Sequence, residues 1–472
     1  MTLSSLHFIF VFLPIFLLLY YILPKSWWRN ALLVIGSLFF FGWSDPLNLP
    51  LLLLALIVNF TLGYLIHLVL EKKSRQAARP LMWIAVIFNL SLLVFYKYSG
   101  FLIQSAANLL NKTIEFENPA LPLGISFFTF TGIAYILDIY HSAEKAEKNI
   151  LRFSSYFVMF PKLLQGPITR YSMVKSGLIN PRPTADEILE GVRRFIGGLA
   201  KKVLLADQLA IAVNKVFSAE FDAIGANVAW FGLLAYTLQI YLDFSGYTDM
   251  AIGLGKMLGF SLPENFNFPY ISRSISDFWR RWHMSLTNWF RTYLFIPLEF
   301  ARKREKFLRQ QSNIVIVFLL TGLWHGASWN FVIWGIYFGL IMAIEASGWG
   351  RTLKKLPAAV QHVYSLILII FGWILFRITD ISLWGPFIKA LVGVNGWRTD
   401  ASMRYFNILQ FIPLLVLGVL FSLPFVNTVE KKILANGGVI RLFWDLLYLL
   451  LFILSVAFIL TNGYNAFIYA QF

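Results

Sequence analysis

Apolar runs long enough to cross a bilayer start at Phe8 and recur to the end of the chain. Phe8 to Leu23, Ala31 to Trp43, Leu49 to Leu70 and Met82 to Tyr96 come first. A polar stretch, Phe101 to Pro119, follows and reads as an outer-face segment with one short helix. Pro122 and Gly124 open the next run, which ends near Tyr140 before the charged loop His141 to Lys148. Between Arg152 and Pro181 the pattern is broken by Pro161, Gly166 and Pro167, which predicts re-entrant or interfacial segments buried in protein. Glu187 to Lys202 is amphipathic and basic, the pattern of a helix lying on the cytoplasmic surface. Spanning runs return at Trp230 to Leu242, Ile314 to Leu323, Phe331 to Ala346, Leu366 to Phe376, Ile408 to Leu423 and Phe443 to Leu460. The pattern predicts an all-α, polytopic transmembrane bundle of about 10 to 12 spans with broken helices. With no internal repeat or soluble segment, residues 1–472 read as one integral-membrane domain, with N-terminal spans 1–120, a core 121–350 and C-terminal spans 351–472.

Composition agrees with this class. The chain is 58% hydrophobic and 14% charged, against roughly 25% charged in soluble domains. A net charge of +16 suggests nucleic acid only until its location is read. Lys25 and Arg29, then Lys72, Lys73, Arg75 and Arg79, sit in short loops after alternate runs, whereas the loop at Asp45 has no basic residue. The block Arg302 to Arg309, Lys354-Lys355 and Lys431-Lys432 extend the series. Positive loops face the cytoplasm, so both termini are expected outside, with an even number of crossings. The leader Met1 to His7 has no Lys or Arg and no small-residue cleavage site follows it, so the first run reads as a span rather than a signal peptide. The absence of cysteine excludes disulfides, Cys-ligated metal and a thiol nucleophile, and no other metal motif is present.

One of six histidines, His325, lies in Trp324-His325-Gly326, at the apex between two apolar runs whose far ends are basic. A helix from about Gln311 to His325 climbs roughly 20 Å, past the middle of a hydrocarbon core about 30 Å thick. An ionisable group at that depth is costly, so function is the default reading, with a packing hydrogen bond between helices as its competitor. Imidazole titrates near neutrality and can take a proton from a hydroxyl that attacks an acyl carbonyl. His283 closes Trp279-Arg280-Arg281-Trp282-His283, a segment that suits either a headgroup-level anchor or an anionic donor held by Arg280 and Arg281. Asp243-Phe244-Ser245-Gly246-Tyr247-Thr248-Asp249 interrupts an apolar stretch. Its carboxylates either orient a histidine or line a wet cavity, or they pair with Lys256 or Arg280. Phe160 to Ile168, which contains Gln165, reads as the turn of a re-entrant segment, and Gly335 and Gly339 are spaced for close helix approach.

Five ordered segments resemble the membrane-bound O-acyltransferase family, in its bacterial alginate and peptidoglycan O-acetyltransferase branch. They are Pro122 to Phe130, Gln165-Gly166-Pro167-Ile168, Tyr241 to Tyr247, Asp277 to His283, and Leu323-Trp324-His325-Gly326. The resemblance implies catalytic roles for His325 and His283 in a bundle built around a central tunnel. The residue chemistry read above adds a candidate substrate site drawn from Trp324, Trp279, Arg280, Arg281, Asp243, Ser245, Tyr247, Asp249 and Gln165. The donor it implies is acetyl-CoA, with no bound cofactor, and the acceptor an extracytoplasmic polysaccharide reached through a partner of the SGNH-hydrolase type. The location it implies is the bacterial inner membrane. A related branch transfers D-alanyl groups to teichoic acid and shares the Trp-rich and Trp-His-Gly segments. The longer C-terminal part favours acetyl. An ion-coupled transporter would also carry broken helices and intramembrane Asp and His, but neither a repeat nor the five segments fit it.

Overall fold

The computed structural model describes residues 1–302, 308–397, 407–436, 438–462 and 467, and every regular element among them is helical. Residues 303–307 of the basic block lie outside the described residues. Among the described residues, five helices are long and apolar enough to cross a membrane: Leu49–Lys72, Arg75–Leu109, Trp329–Leu353, Ala358–Arg377 and Gly438–Thr461. The pair Ile408–Phe421 and Phe425–Ile433, bent by 64°, makes a sixth when counted as one broken span. Shorter apolar helices cover Phe8–Ile22, Ile125–Tyr140 and Ile381–Leu391. Long apolar helices are thus fewer than the crossings expected from hydropathy, and the reason is local. The run Trp230 to Leu242 belongs to the 32-residue helix Ala226–Met257, whose later turns carry Asp243, Asp249 and Lys256. The run Ile314 to Leu323 sits in a 17-residue helix that begins with five polar residues.

The chain folds as two compact units. The first comprises residues 1–195 and 247–264. Its centre is Ile125–Tyr140, buried along almost its whole length and packed against Leu49–Lys72 and Arg75–Leu93. Close approach depends on glycine: a Cβ on Gly132 would come 2.6 Å from Asn59 Oδ1, and one on Gly63 would come 2.7 Å from the Tyr135 ring. Asn59 and Asn89 then exchange amide hydrogen bonds of 2.9 and 3.1 Å between their helices, the usual polar contact of an apolar bundle. The Pro-punctuated stretch forms three short helices, Ile150–Val158, Phe160–Leu163 and Tyr171–Ile179. Lys162 is buried there with its ammonium 4.3 Å from the centre of the Tyr156 ring. The expected surface helix begins at Ala185, where Thr184 and Glu187 form a reciprocal cap.

The second unit comprises residues 196–246 and 265–472. It is built on a helical hairpin, Arg309–His325 and Trp329–Ile344, against which Ala358–Arg377 packs. Phe278, Trp279, Trp282, Trp334, Phe338, Trp373 and Phe376 form a continuous aromatic core. Their rings meet mostly edge to face, the arrangement that ring quadrupoles favour.

Candidate active site

His325 is the last residue of its helix and only 2% exposed. Three rings meet the imidazole edge to face: Trp334 at 5.0 Å, Trp324 at 5.1 Å and Phe376 at 5.4 Å between centroids. The neighbouring Gly326 is small for a reason, since a Cβ there would come 2.2 Å from the Phe331 ring. Trp324 also faces His283 at 5.7 Å, so one indole stands between the two histidines.

His283 is fully buried in the left-handed region at φ +45°, immediately before the helix Met284–Phe290. A residue other than glycine there is strained and persists only where its surroundings over-determine it. Asn265 supplies that constraint. Its backbone carbonyl accepts from Met284 N at 2.9 Å, and its side-chain oxygen accepts from Ser285 N at 3.1 Å and Ser285 Oγ at 2.9 Å. The same oxygen lies 3.1 Å from His283 Nδ1. An acceptor already fixed by a backbone N–H places the ring proton on Nδ1 and leaves the lone pair on Nε2. Burial lowers the pKa of this imidazole to about 3, so it is neutral at physiological pH. Phe244 closes the other side at 4.8 Å.

The Trp279 segment is positioned by Glu345, whose carboxylate accepts from Ile275 N and Ser276 N at 2.8 Å each. These are the first two amides of the short helix Ile275–Trp279, where an acidic group is favoured. Trp279 is buried against Phe318, Phe338 and Trp334 at 5.2, 5.3 and 5.5 Å. The two arginines diverge. The side chain of Arg280 is 72% exposed and lightly paired with Asp277 at 3.3 Å, whereas that of Arg281 is 27% exposed and held by Asp277 and the Asn267 carbonyl, both at 3.2 Å.

A cavity of about 930 Å³ opens beside this segment, within the range of small-molecule sites. Five exposed cations, Arg273, Arg280, Arg291, Arg351 and Lys354, line it against two carboxylates, Asp277 and Glu345. Its buried wall includes Trp279, Leu286, Phe290, Val317, Phe318 and Thr321. Thr321 is one helical turn, roughly 6 Å, before His325. The cavity therefore combines an anion-attracting rim with an apolar interior that reaches the His325 helix.

Among the residues singled out from sequence, His325, His283, Trp324, Trp279 and Arg280 come together in the second unit. Asp243 and Ser245 are in that unit too, both buried, but Asp243 belongs to an ion cluster: Lys202 Nζ lies 2.7 Å from it and 2.6 Å from Asp207. Its partner is thus Lys202, and neither Lys256 nor Arg280. Tyr247, Asp249 and Gln165 belong to the first unit. There Asp249 pairs with Arg194 at 2.7 Å and Lys256 with Glu190. Gln165 is buried, and its side-chain oxygen meets no donor among the described residues. Asn265, Glu345, Arg273, Arg291, Arg351 and Lys354 are the site residues that sequence reading misses. The basic ones carry a visible signal, but one that reads equally as loop topology.

Comparison with known proteins agrees with this architecture. The model of the membrane-bound O-acyltransferase family matches residues 123–381, which include both histidines. The chain is 34% identical to the probable alginate O-acetylase AlgI of Pseudomonas putida over the whole of both chains. It is 36% identical to the protein of that name from Azotobacter vinelandii, over 89% of this chain and 84% of the relative. It is 33% identical to the peptidoglycan O-acetyltransferase of Helicobacter pylori, over 82% and 79%. The chain belongs to the membrane-bound O-acyltransferase family and is a multi-pass membrane acyltransferase.

Proposed function

We propose that the protein is a bacterial inner-membrane O-acetyltransferase that takes acetyl from acetyl-CoA on the cytoplasmic side for O-acetylation of an extracytoplasmic polysaccharide such as alginate or peptidoglycan. The observation that carries this reading is the cavity rimmed by Arg273, Arg280, Arg291, Arg351 and Lys354, with Thr321, one turn from His325, on its buried wall. A thioester on a polyanionic carrier suits both ends of that cavity: its phosphates meet cations, and its pantetheine arm and acetyl group meet apolar walls. His325 removes the proton of the attacking hydroxyl, help that contributes typically about 10² to 10⁴ in rate. His283, neutral and fixed by Asn265, orients the reactants. The acetyl group reaches the polymer through an outer-face partner of the SGNH-hydrolase type. Relatives named as alginate and peptidoglycan acetylases support acetyl as the group and a polysaccharide as the acceptor.

The test supplies labelled acetyl-CoA to inside-out membrane vesicles and follows label into polymer. Transfer that depends on this chain is expected. Equal or better use of a D-alanyl carrier would move the protein to the teichoic-acid branch. The proposal also requires Lys354, on the cavity rim, to face the cytoplasm with both termini outside. A single cysteine at Lys354, in a chain that has no other, should resist an impermeant thiol reagent in intact cells. Labelling from outside would reverse the orientation.

A further inference from the structure

Four buried polar side chains stand on the cavity wall: Trp279, Thr321, Glu345 and Gln361. Three are committed within the protein. The Thr321 hydroxyl donates to the Val317 carbonyl at 2.8 Å, the Gln361 amide donates to the Leu356 carbonyl at 2.7 Å, and Glu345 accepts from Ile275 and Ser276. Trp279 differs. Its indole is 2% exposed, and its Nε1–H meets no acceptor among the described residues. Buried tryptophans normally satisfy that N–H; Trp334 and Trp373 also carry one that meets no acceptor among the described residues, but of these three Trp279 alone lines the cavity. The packing makes the position costly to change, since Phe318, Phe338 and Trp334 all hold the ring. Trp334 in turn touches the His325 ring.

We propose that Trp279 is a catalytic residue whose indole N–H donates a hydrogen bond to the carbonyl oxygen of the donor thioester. The inference rests on the reading of the cavity as the donor site. As the acceptor oxygen forms the new C–O bond, its proton passes to His325 and the carbonyl π pair moves onto the carbonyl oxygen. The pair returns as the C–S bond breaks, and the sulfur leaves with the proton that His325 held. The indole keeps its own proton throughout and stabilises the oxygen while it carries charge. A donor fixed in an apolar wall is effective there because water neither competes for the oxygen nor has to reorganise.

The experiment compares wild type with Trp279→Phe and with a variant carrying 3-benzothienylalanine at position 279, which keeps the bicyclic shape and replaces N–H by sulfur. Three quantities are read in detergent: CoA affinity, kcat with acetyl-CoA, and the carbonyl stretch of bound, ¹³C-labelled acetonyl-CoA, a ketone that cannot transfer its group. CoA affinity should stay within about twofold of wild type, because the N–H meets the acyl group rather than the carrier. In both variants kcat should fall roughly 100-fold, the loss usual for one such donor, and the carbonyl band should move to higher frequency. A benzothienyl variant with wild-type kcat and an unmoved band overturns the proposal even if the phenylalanine variant fails to fold. Failure of the wild-type protein to bind CoA overturns the donor-cavity reading, and this inference with it.

Discussion

Gly335 packs across the His325 hairpin so closely onto Gly322 that the Cα of one lies 3.2 Å from where the other's Cβ would be, with the Phe318 carbonyl oxygen nearer still at 2.4 Å. In the other direction, a Cβ on Gly322 would come 2.2 Å from the Phe331 carbonyl oxygen. Both obstacles are backbone, so a methyl group cannot be absorbed by a side-chain rotation. This contact fixes Trp334, one residue before Gly335, against the His325 ring.

Gly335→Ala is therefore expected to lower stability by about 1 to 3 kcal/mol, the usual range for overpacking, and to lower kcat by displacing Trp334. Thermal unfolding and turnover in the same detergent preparation check this. A variant as stable and active as wild type would mean that the hairpin opens without consequence.

Arg280 and Arg281 should behave differently despite their adjacency. Arg280 is exposed on the cavity rim, whereas Arg281 is tied to Asp277 and Asn267. Exposed ionic contacts are worth roughly 0 to 1 kcal/mol, so Arg280→Ala should weaken CoA binding by up to about fivefold, and Arg280→Ala with Arg351→Ala should weaken it further. Raising salt should narrow these differences. Arg281→Ala should alter folding yield more than affinity, and isothermal titration of CoA separates the two outcomes.

The cluster Lys202, Asp207 and Asp243 gives a stability prediction. Removing the lysine takes the cation away from two buried carboxylates, and breaking such a pair typically costs about 3 to 5 kcal/mol. Lys202→Met should therefore melt well below wild type. Adding Asp207→Asn and Asp243→Asn should recover much of the loss, because the remaining groups are then neutral. If the triple variant melts no higher than Lys202→Met, the cluster does more than balance charge.

His283 links stability to acid. Its pKa is held near 3 in the fold against an ordinary value of 6.5, so between those values the unfolded chain binds a proton that the native protein does not. The stabilisation is present in full above about pH 6.5 and is lost progressively as pH falls toward 3. His283→Asn removes this dependence. Difference melting curves between pH 7.5 and 5 should show wild type losing more stability than the variant, and parallel curves would contradict the burial argument.

The helical class and the His325 hairpin were legible in the sequence because hydropathy reports directly on lipid burial, and because Trp324-His325-Gly326 must fall where the chain reverses. The segment Asp277 to His283 read either as a headgroup-level anchor or as a place for an anionic donor, and the sequence left that choice open. The partner of Asp243 was not legible, since Lys202 is distant in sequence and the pairing arises only when Ala226–Met257 packs beside it. Asn265 gave no signal at all, because a lone asparagine in a loop is ordinary until His283 closes onto it. Lys354 looked like an orientation charge and also lines the cavity, beside Arg351. Positive residues at a membrane interface serve topology and anion binding through the same electrostatics, and hydropathy cannot separate the two.

The central claim is that His325 transfers the proton. Gln approximates the volume and hydrogen bonding of imidazole but is not a base near neutral pH. The measurement is acetyl delivery from acetyl-CoA to polymer in membranes holding matched amounts of wild type, His325→Ala and His325→Gln, with CoA affinity recorded for each. Both variants should bind CoA about as well as wild type and transfer acetyl at no more than about one hundredth of its rate. Near wild-type transfer by His325→Gln would show that the residue only packs, and would contradict the mechanism.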